Sequence, residues 1–278
     1  MNITVALIGV GKMGGALLHR LTGAGARVRA FDIKESALQA ARGGGAEIVA
    51  SSAEAARGAK IVHVFVHNDQ EVFDATLADD GALAGAAPGT IVILHSTIMP
   101  ATTLRVAEAA MPKKVHVIDA SVTSVPRLVH AGQATFLVGG PKDVVEEIRP
   151  HLEALGQAVW HFGPLGTGNS AKLAKNLTNV IERVMWAETL TLVEAAGIDP
   201  RQFIEMALSV DKGSMMRNWE KVVRIYDGHV TPGRAQGLYR KDAQHAARLA
   251  REHDLDLGLT QNAADITARW LAEWDKKF

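Results

Sequence analysis

A stripe of long polar side chains on an otherwise apolar segment holds the residues with the clearest capacity for chemistry. Residues 166–197 are predicted to form one long helix, because apolar residues recur at helical spacing and Gly197 suits its C-terminal end. The polar residues step along it by three or four: Asn169, Lys172, Asn176, Asn179 and Arg183. Long polar side chains are costly in a core without partners. The stripe therefore faces water, packs against a neighbouring domain, or forms a site.

A glycine-rich turn near the N-terminus has the spacing of a dinucleotide-binding loop. The β-branched run Thr4–Ile8 leads directly into Gly9-Val10-Gly11-Lys12-Met13-Gly14, and a helix-periodic segment follows. The first glycine permits the tight turn, the second admits a pyrophosphate, and the third allows helix and strand to pack closely. Free N–H groups at the start of the helix favour a phosphate. We therefore predict cofactor contacts at Gly9, Gly11, Lys12, Met13 and Gly14.

Asp32 follows a second predicted strand, Arg27–Phe31, and lies 18 residues after Gly14. A carboxylate at this distance accepts hydrogen bonds from the adenosine ribose and repels a 2′-phosphate. The sequence therefore predicts NAD as the cofactor, with NADP less favoured. Lys34 opposes this prediction, because a cation two residues on would tolerate the phosphate. An ordinary surface acid at a strand end is the alternative interpretation of Asp32.

The first part of the chain alternates strands and helices. Further strands are predicted at residues 61–66, 90–94, 115–119, 135–138 and 158–162. Repeated strand–helix units imply a parallel sheet covered on both faces, with ligands beyond the C-terminal strand ends. Segments 66–68, 95–97 and 119–123 should then converge on the cofactor, with Val66 and Asn68 as contacts, unless they are ordinary cap and loop residues. The strand-associated histidines have no metal-site spacing and are expected to be packed or capping residues.

Helix follows helix in the rest of the chain. Asp199-Pro200 is predicted to open one helix, and others are predicted near 218–226, 235–253 and 261–274. The predicted fold class is α/β: an N-terminal Rossmann-type parallel-sheet domain (residues 1–165) and an all-helical C-terminal domain (166–278), joined by the long interdomain helix. A cleft between such domains is the expected place for a substrate, beside the start of the polar stripe.

Composition narrows the possible partners. The 30 basic and 30 acidic residues cancel, which gives no reason to expect nucleic acid or an anionic membrane as a partner. The lack of cysteine excludes disulfides, thiolate catalysis and Cys-based zinc sites, and we expect no metal. No run approaches the roughly 18 apolar residues of a membrane span, and the N-terminus lacks a basic leader. We expect a cytoplasmic protein.

Taken together, the motifs resemble those of the β-hydroxyacid dehydrogenase family, which includes 3-hydroxyisobutyrate dehydrogenase and relatives of 6-phosphogluconate dehydrogenase. The matching segments in chain order are the glycine turn with its Met13, Ser96-Thr97-Ile98, Gly166-Thr167-Gly168 with Lys172 and Asn176, and Lys241-Asp242. The resemblance covers essentially the whole chain. It implies NAD(P)-dependent oxidation of a small 3-hydroxy acid, or reduction of the corresponding aldehyde or ketone acid.

The resemblance also implies individual roles. Lys172 would be the general acid/base, and Asn176 its orienting, substrate-binding neighbour. Ser96 and Thr97 would lie near the nicotinamide and its ribose, and Lys241 would contact substrate and cofactor. Each of these roles is carried over from a matching motif position in this chain.

Two departures from the family pattern concern the substrate. The family's loop is typically Asp-Ala-Pro-Val-Ser-Gly-Gly, whereas this chain has Asp119-Ala120-Ser121-Val122-Thr123-Ser124-Val125. Ser121, Thr123 and Ser124 are still expected to bind an anionic substrate, although Val125 narrows the space that glycine leaves or sends the loop along another path. Arg234 replaces a family phenylalanine, and it either meets an anionic group or forms an exposed ion pair.

Other functions and an assembly also follow from the sequence. A ketone or imine reductase on the same scaffold is one alternative, although imine reductases usually carry another acid at the position of Lys172. A non-catalytic dinucleotide-binding sensor is another, although a sensor needs none of Lys172, Asn176 and Lys241. Apolar residues at four-residue steps in the last predicted helix favour a homodimer or homotetramer, with packing onto the chain's own core nearly as plausible: Ile266, Trp270, Trp274 and Phe278.

Overall fold

The computed structural model describes residues 3–210, 235–252, 254, 261–267 and 269. The chain divides into two compact units, Met1–Lys172 and Leu173–Phe278. The sequence predicts a boundary between residues 165 and 166, at the start of the long helix. The division by contacts falls later because the first turns of that helix are hydrogen-bonded to the sheet of the first unit.

The first unit is built on an eight-stranded sheet with the order β3-β2-β1-β4-β5-β6-β7-β8. Its strands are β1 Thr4–Ile8, β2 Arg27–Phe31, β3 Glu47–Ile48, β4 Ile61–Val64, β5 Ile91–Leu94, β6 His116–Val122, β7 Thr135–Gly139 and β8 Ala158–His161. Every neighbouring pair is parallel except β6 and β7, which are antiparallel. The predicted parallel sheet is confirmed, and the antiparallel pair is a feature that the sequence did not indicate. The short strand β3 is an addition to the predicted series.

Helices follow most strands of this unit. They are α1 Lys12–Gly23, α2 Glu35–Gly43, α3 Ser52–Ala56, α4 Asp69–Leu77, α5 Ala82–Gly85, α6 Pro100–Ala110, α7 Pro126–His130 and α8 Lys142–Leu155, with a 3₁₀ turn at Met111–Lys113. Local signals set several of their ends. Ser51 caps α3 by accepting a hydrogen bond from the Glu54 amide at 3.1 Å, and Pro100 occupies the first turn of α6. Gly156 ends α8.

The sheet is buried on both faces, which explains the continuous apolar runs in its central strands. Val5 and Leu7 of β1 belong to one hydrophobic cluster, whereas Ala6 and Ile8 belong to another. Successive residues of a strand point to opposite faces, so both faces are covered. The doubly covered, mostly parallel sheet is the predicted Rossmann-type architecture.

The second unit is helical wherever it is described. Helix α9 runs Thr167–Ala195 and crosses the division between the units, and it is followed by α10 Pro200–Val210, α11 Ala235–Glu252 and a helical segment at 261–267. Small and branched apolar side chains form the core of this unit: Val180, Val184, Ala243, Ala247, Ala263 and Ala264. The predicted helix near 218–226 and the aromatic residues Trp270, Trp274 and Phe278 lie outside the described residues. Among the described residues, no helix has the length and apolar character needed to cross a membrane.

Candidate active site

The glycine turn between β1 and α1 is shaped by close backbone contacts on two sides and open space on a third. Gly9 has a φ of +86°, and a Cβ there would lie 2.4 Å from the Phe65 carbonyl oxygen. A Cβ on Gly14 would lie 1.9 Å from the Gly9 carbonyl oxygen. A Cβ on Gly11, by contrast, would meet no atom within 4 Å. Two glycines therefore allow close packing, and the third faces open space.

The residues around this turn fit a dinucleotide. Helix α1 begins after Gly11 with no side-chain cap and no acidic residue in its first turn, so its N-terminal amides suit an anion. Asp32 stands at the end of β2, where its carboxylate accepts hydrogen bonds from the amides of Val10 at 2.8 Å and Lys34 at 2.9 Å. The carboxylate is thereby fixed beside the turn while retaining lone pairs for ribose hydroxyls. Lys12 is exposed beside it.

The loops after β4 and β5 are tied together. The Ser96 hydroxyl donates to the Val66 carbonyl at 2.7 Å and accepts from the Val66 amide at 3.2 Å, and Ser96 is buried. Asn68 caps α4 by accepting from the Glu71 amide at 2.9 Å and donating to the Glu71 carboxylate at 3.0 Å. Ser96 and Asn68 therefore hold the loops, and Thr97 is the half-buried hydroxyl beside them.

A carboxylate on the sheet caps the long helix. Asp119 of β6 accepts hydrogen bonds from the Gly166 amide at 2.7 Å and the Asn169 amide at 2.6 Å, one with each oxygen. Burial raises the pKa of Asp119 to about 6, although these amides and that of Gly168 oppose the rise. A helix N-terminus favours a negative charge, which explains the placement of the carboxylate. The cap fixes where α9 starts relative to β6.

The next residue on the buried face of α9 is also anchored to the first unit. The side-chain nitrogen of Asn169 donates to the Ser121 hydroxyl at 3.2 Å, and its side-chain oxygen accepts from the Thr103 hydroxyl at 2.7 Å. Asp119 thus meets Gly166 and Asn169, whereas Ser121 meets Asn169 alone. The first turn of α9 is therefore seated on β6.

Lys172 lies on the helix that Asp119 and Ser121 hold on β6. It comes three residues after Asn169, on the same face of α9, and 9% of its surface is exposed. In the sheet register Asp119 shares a row with Ile8 and Phe31, so the first turn of α9 is seated near the carboxyl end of the parallel part of β6. That end of the strand belongs to the edge of the sheet that also carries the glycine turn and Asp32.

The loop after β6 offers one unused hydroxyl. Ser121 is fully buried and its hydroxyl serves Asn169, so it positions the helix. The Thr123 amide donates to the Thr135 carbonyl at 3.0 Å, which keeps the loop on β7. The Ser124 hydroxyl is buried and has no hydrogen-bond partner in the described part of the chain. Val125 is 52% exposed and precedes α7.

In the second unit, the Asn176 side chain is held by an acid. Its amide donates to the Asp242 carboxylate at 2.8 Å, and Lys241 lies 3.8 Å from the other oxygen of that carboxylate. Asn176 is one helical turn beyond Lys172 on α9. The hydrogen bond orients the amide and leaves its oxygen to accept from another group. Arg234 lies outside the described residues.

Sequence reasoning missed three residues that organise this arrangement. Asp119, Asn169 and Asp242 are buried, and each holds a predicted site segment or residue. Asn169 belongs to the polar stripe, and Asp242 follows Lys241 in the matched pair, so both carried a local signal. Asp119 was expected in the loop segment 119–123, but its role as the cap of α9 could not be predicted, because its partners lie 47 and 50 residues further along the chain.

Comparison with known proteins gives two family matches that together span nearly the whole chain. Residues 4–163 match the NAD binding domain of 6-phosphogluconate dehydrogenase. Residues 166–277 match a domain described as the NAD-binding of NADP-dependent 3-hydroxyisobutyrate dehydrogenase. The first match alone covers more than half of the chain.

Individual relatives agree with these matches. An NAD-dependent L-serine dehydrogenase of Pseudomonas aeruginosa is 32% identical, covering 95% of this chain and 86% of the relative. A 3-hydroxyisobutyrate dehydrogenase of the same organism is 36% identical, covering 77% of this chain and 71% of the relative. The solved Mycobacterium tuberculosis 3-hydroxyisobutyrate dehydrogenase with L-serine has a TM-score of 0.85 at 26% identity, covering 98% of this chain and 94% of that one.

Proposed function

Because this chain belongs to the β-hydroxyacid dehydrogenase family, we propose that it transfers a hydride between NAD and a small 3-hydroxy acid or the corresponding aldehyde or ketone acid, with Lys172 as the general acid/base. The observation that carries this role is the anchoring of α9 along β6. This anchoring supports the role because Lys172 lies three residues after Asn169 on the same face of the helix and is buried. An imine reductase has no comparable support, because Lys172 suits the proton of an alcohol.

The chemistry divides between cofactor and protein. The nicotinamide ring supplies the hydride acceptor for oxidation and the hydride donor for reduction. Lys172 removes the hydroxyl proton as the alcohol is oxidised and returns it in the reverse direction. Lys172 is buried, with 9% of its surface exposed, which limits competition from bulk water for its proton. We assign Asn176, whose amide Asp242 orients, to hydrogen-bond the substrate hydroxyl without adding charge.

The substrate class follows from the loop and from the relatives. L-Serine and 3-hydroxyisobutyrate, which name two relatives, both carry a hydroxyl on the carbon next to the one bearing the carboxylate. We assign Thr123 and the unused Ser124 hydroxyl to the acid group, and Lys241 to the substrate by its motif. Thr123→Ala should raise KM more than it lowers kcat, as expected when binding is lost equally in ground and transition states. Equal activity on neutral alcohols would contradict this assignment.

The decisive experiment replaces Lys172 with methionine, which is similar in length and uncharged. The variant should fold and bind NADH, with kcat lowered on the order of 10²–10⁴-fold, the range for a lost acid/base group. The matched control is Lys175→Met, since Lys175 lies on the same helix but is exposed and hydrogen-bonds Asn179. Its kcat should equal that of the wild type. A near-normal kcat in Lys172→Met, with hydride transfer rate-limiting, would remove Lys172 from the mechanism.

A substrate panel and mass measurements complete the assignment. Oxidation of L-serine, 3-hydroxyisobutyrate and other C3–C6 hydroxy acids should be followed with NAD and NADP in parallel. We further propose a cytoplasmic homodimer or homotetramer, supported by the apolar steps at Ile266, Trp270, Trp274 and Phe278, which need cover. Light scattering at micromolar concentration and cell fractionation test these two statements. A monomer would leave only packing onto the chain's own core.

A further inference from the structure

Three histidine side chains form a continuous hydrogen-bonded chain inside the first unit. His63 of β4 lies at the centre, with Nδ1 2.8 Å from His95 Nε2 and Nε2 2.9 Å from His151 Nε2. His95, directly after β5, ends the chain with Nδ1 2.8 Å from the Ala120 carbonyl oxygen. His151 lies on α8, and all three rings are buried. We call this arrangement the histidine chain.

The hydrogen bonds of the histidine chain can run in only one direction when the rings are neutral. The Ala120 carbonyl only accepts, so His95 carries its hydrogen on Nδ1 and accepts at Nε2. His63 must then donate from Nδ1 and accept at Nε2, which His151 satisfies by donating from its own Nε2. Burial lowers the pKa of His95 and of His151 to about 4 and that of His63 well below 6.5, so the rings are neutral at pH 7.

This arrangement is not a metal site. Among the described residues, no group of histidine and acidic side chains has the geometry to hold a metal ion. The rings meet each other nitrogen to nitrogen at hydrogen-bond distance, in a line. Buried polar rings are costly unless their bonds are satisfied, and an apolar core would not need them. We therefore look for the role of the three histidines in the group held by the bond from His95 to the Ala120 carbonyl.

The last bond holds the strand segment on which the catalytic helix is seated. Ala120 lies between Asp119, which caps α9, and Ser121, which anchors Asn169. On the other side, His95 precedes Ser96, whose carbonyl accepts from the Ser121 hydroxyl at 3.4 Å. The ring of His95 thus joins the end of β5 to β6 at the level where β6 carries the start of α9.

We propose that His95, oriented through His63 by His151, is a positioning residue for Lys172: it fixes the Ala120 carbonyl, and so the β6 segment that seats α9. The inference rests on the proposed role of Lys172. His95 touches neither substrate nor cofactor in this scheme. A displacement on the order of 1 Å at a catalytic group can cost about 10²-fold in rate. A shift of the β6 segment that holds the start of α9 should therefore lower kcat.

Two substitutions at His95 separate positioning from mere filling of space. In His95→Asn the side-chain amide lies close to the place of Nδ1 and can still donate to Ala120, whereas His95→Leu cannot donate. We expect His95→Leu to lower kcat about 10- to 100-fold and to change the Kd of NADH far less. His95→Asn should recover most of the lost kcat. His116→Leu, at the exposed start of β6, is the control and should leave kcat unchanged.

The outcomes decide the proposal. Unchanged kcat in a folded His95→Leu enzyme overturns it, and so do equal losses in the Leu and Asn variants, which would indicate a purely space-filling role. If His95→Leu does not fold, the Asn variant alone decides, and a kcat loss of tenfold or more in it overturns the proposal. The double variant with Lys172→Met should be no slower than Lys172→Met alone, because both changes act on one step.

A second measurement is independent of activity. ¹⁵N NMR of the imidazole nitrogens in the wild-type protein at pH 7 should show hydrogen on Nδ1 of His95 and His63 and on Nε2 of His151. Another tautomer at His95, or a cationic ring, overturns the directed chain. If Lys172→Met kept full activity while these tautomers were found, the proposed catalytic role of Lys172 would be contradicted. The histidine chain would then be a structural feature only, and the positioning proposal would fail with the proposed function.

Discussion

The first unit contains two glycine-rich segments that each lead into the N-terminus of a helix. We call them the α1 entrance and the α9 entrance; they look alike in sequence but differ in the group that meets their free amides. Gly9-Val10-Gly11 leads into α1, and Gly166-Thr167-Gly168 leads into α9. Both place N-terminal amides and the positive end of a helix dipole beside a sheet. A Cβ on Gly11 would meet nothing within 4 Å, whereas a Cβ on Gly168 would lie 2.4 Å from the Leu137 carbonyl oxygen.

The difference lies in the source of the anion. The α1 entrance has no side-chain cap and leaves its amides for the pyrophosphate of a dinucleotide. At the α9 entrance the protein supplies the anion itself, because Asp119 accepts from the amides of Gly166 and Asn169. The first entrance is thus built for a ligand and the second for holding a helix. Glycine is needed for access in one and for close packing in the other.

The largest expected effect comes from removing the internal anion. Asp119→Ala leaves two buried amides without an acceptor, at about 1–3 kcal/mol each, so unfolding free energy should fall by about 2–6 kcal/mol. Asp32→Ala should cost less stability, because one of the two amides that it releases, that of Lys34, is exposed to water. It should instead narrow the preference for NAD over NADP by about tenfold or more, through loss of a charged acceptor for ribose. Urea unfolding and steady-state kinetics with both cofactors measure these effects. Equal losses of unfolding free energy in the two variants would contradict the claim that only Asp119 serves mainly to hold a helix.

A pair of alanine substitutions tests the space at each entrance. Gly168→Ala should destabilise the fold by about 1–3 kcal/mol, since its methyl group would also lie 2.6 Å from an Asp119 carboxylate oxygen. Gly11→Ala should change stability by less than about 0.5 kcal/mol and weaken NADH binding, because the methyl group enters the space for the pyrophosphate. Thermal unfolding and NADH fluorescence titration give both quantities. Unaltered NADH affinity in Gly11→Ala would place the pyrophosphate elsewhere.

A further expected effect, spread over about two pH units, is the titration of the Asp119 carboxylate. The pKa of Asp119 is raised from 3.8 to about 6 by burial. A raised acid pKa means that the fold disfavours the ionised form. Its stabilising contribution is therefore greatest below pH 3.8 and declines as the pH rises to about 6, by at most about 1.4 kcal/mol per pH unit.

The neutral variant Asp119→Asn isolates this slope from that of other titrating groups. Between pH 4 and 6, the unfolding free energy of the wild type minus that of Asp119→Asn should decrease as the pH rises. ¹³C NMR of the Asp119 carboxyl should give a midpoint near pH 6. A midpoint near the ordinary value of an aspartate would show that its amide partners outweigh burial.

The sequence by itself determined the features that depend on near neighbours. The strand Thr4–Ile8, the glycine turn, the cap of α3 by Ser51 and the start of α6 at Pro100 were all predictable, because each rests on residues within one or two turns. Asp32 was found by its distance from the turn, which the geometry of a strand–helix–strand unit fixes. The order of the motifs also placed Lys172 and Asn176 on one helix.

Only the tertiary structure decided which distant groups meet. The antiparallel pairing of β6 with β7, the cap of α9 by Asp119 and the histidine chain join residues between 25 and 88 positions apart or segments whose direction no local pattern sets. His63 and His95 look like packed histidines in sequence, and His151 carries no signal on its helix. Local periodicity reports which face of an element is buried, whereas the partner of a buried polar group depends on how strands and helices are ordered in space.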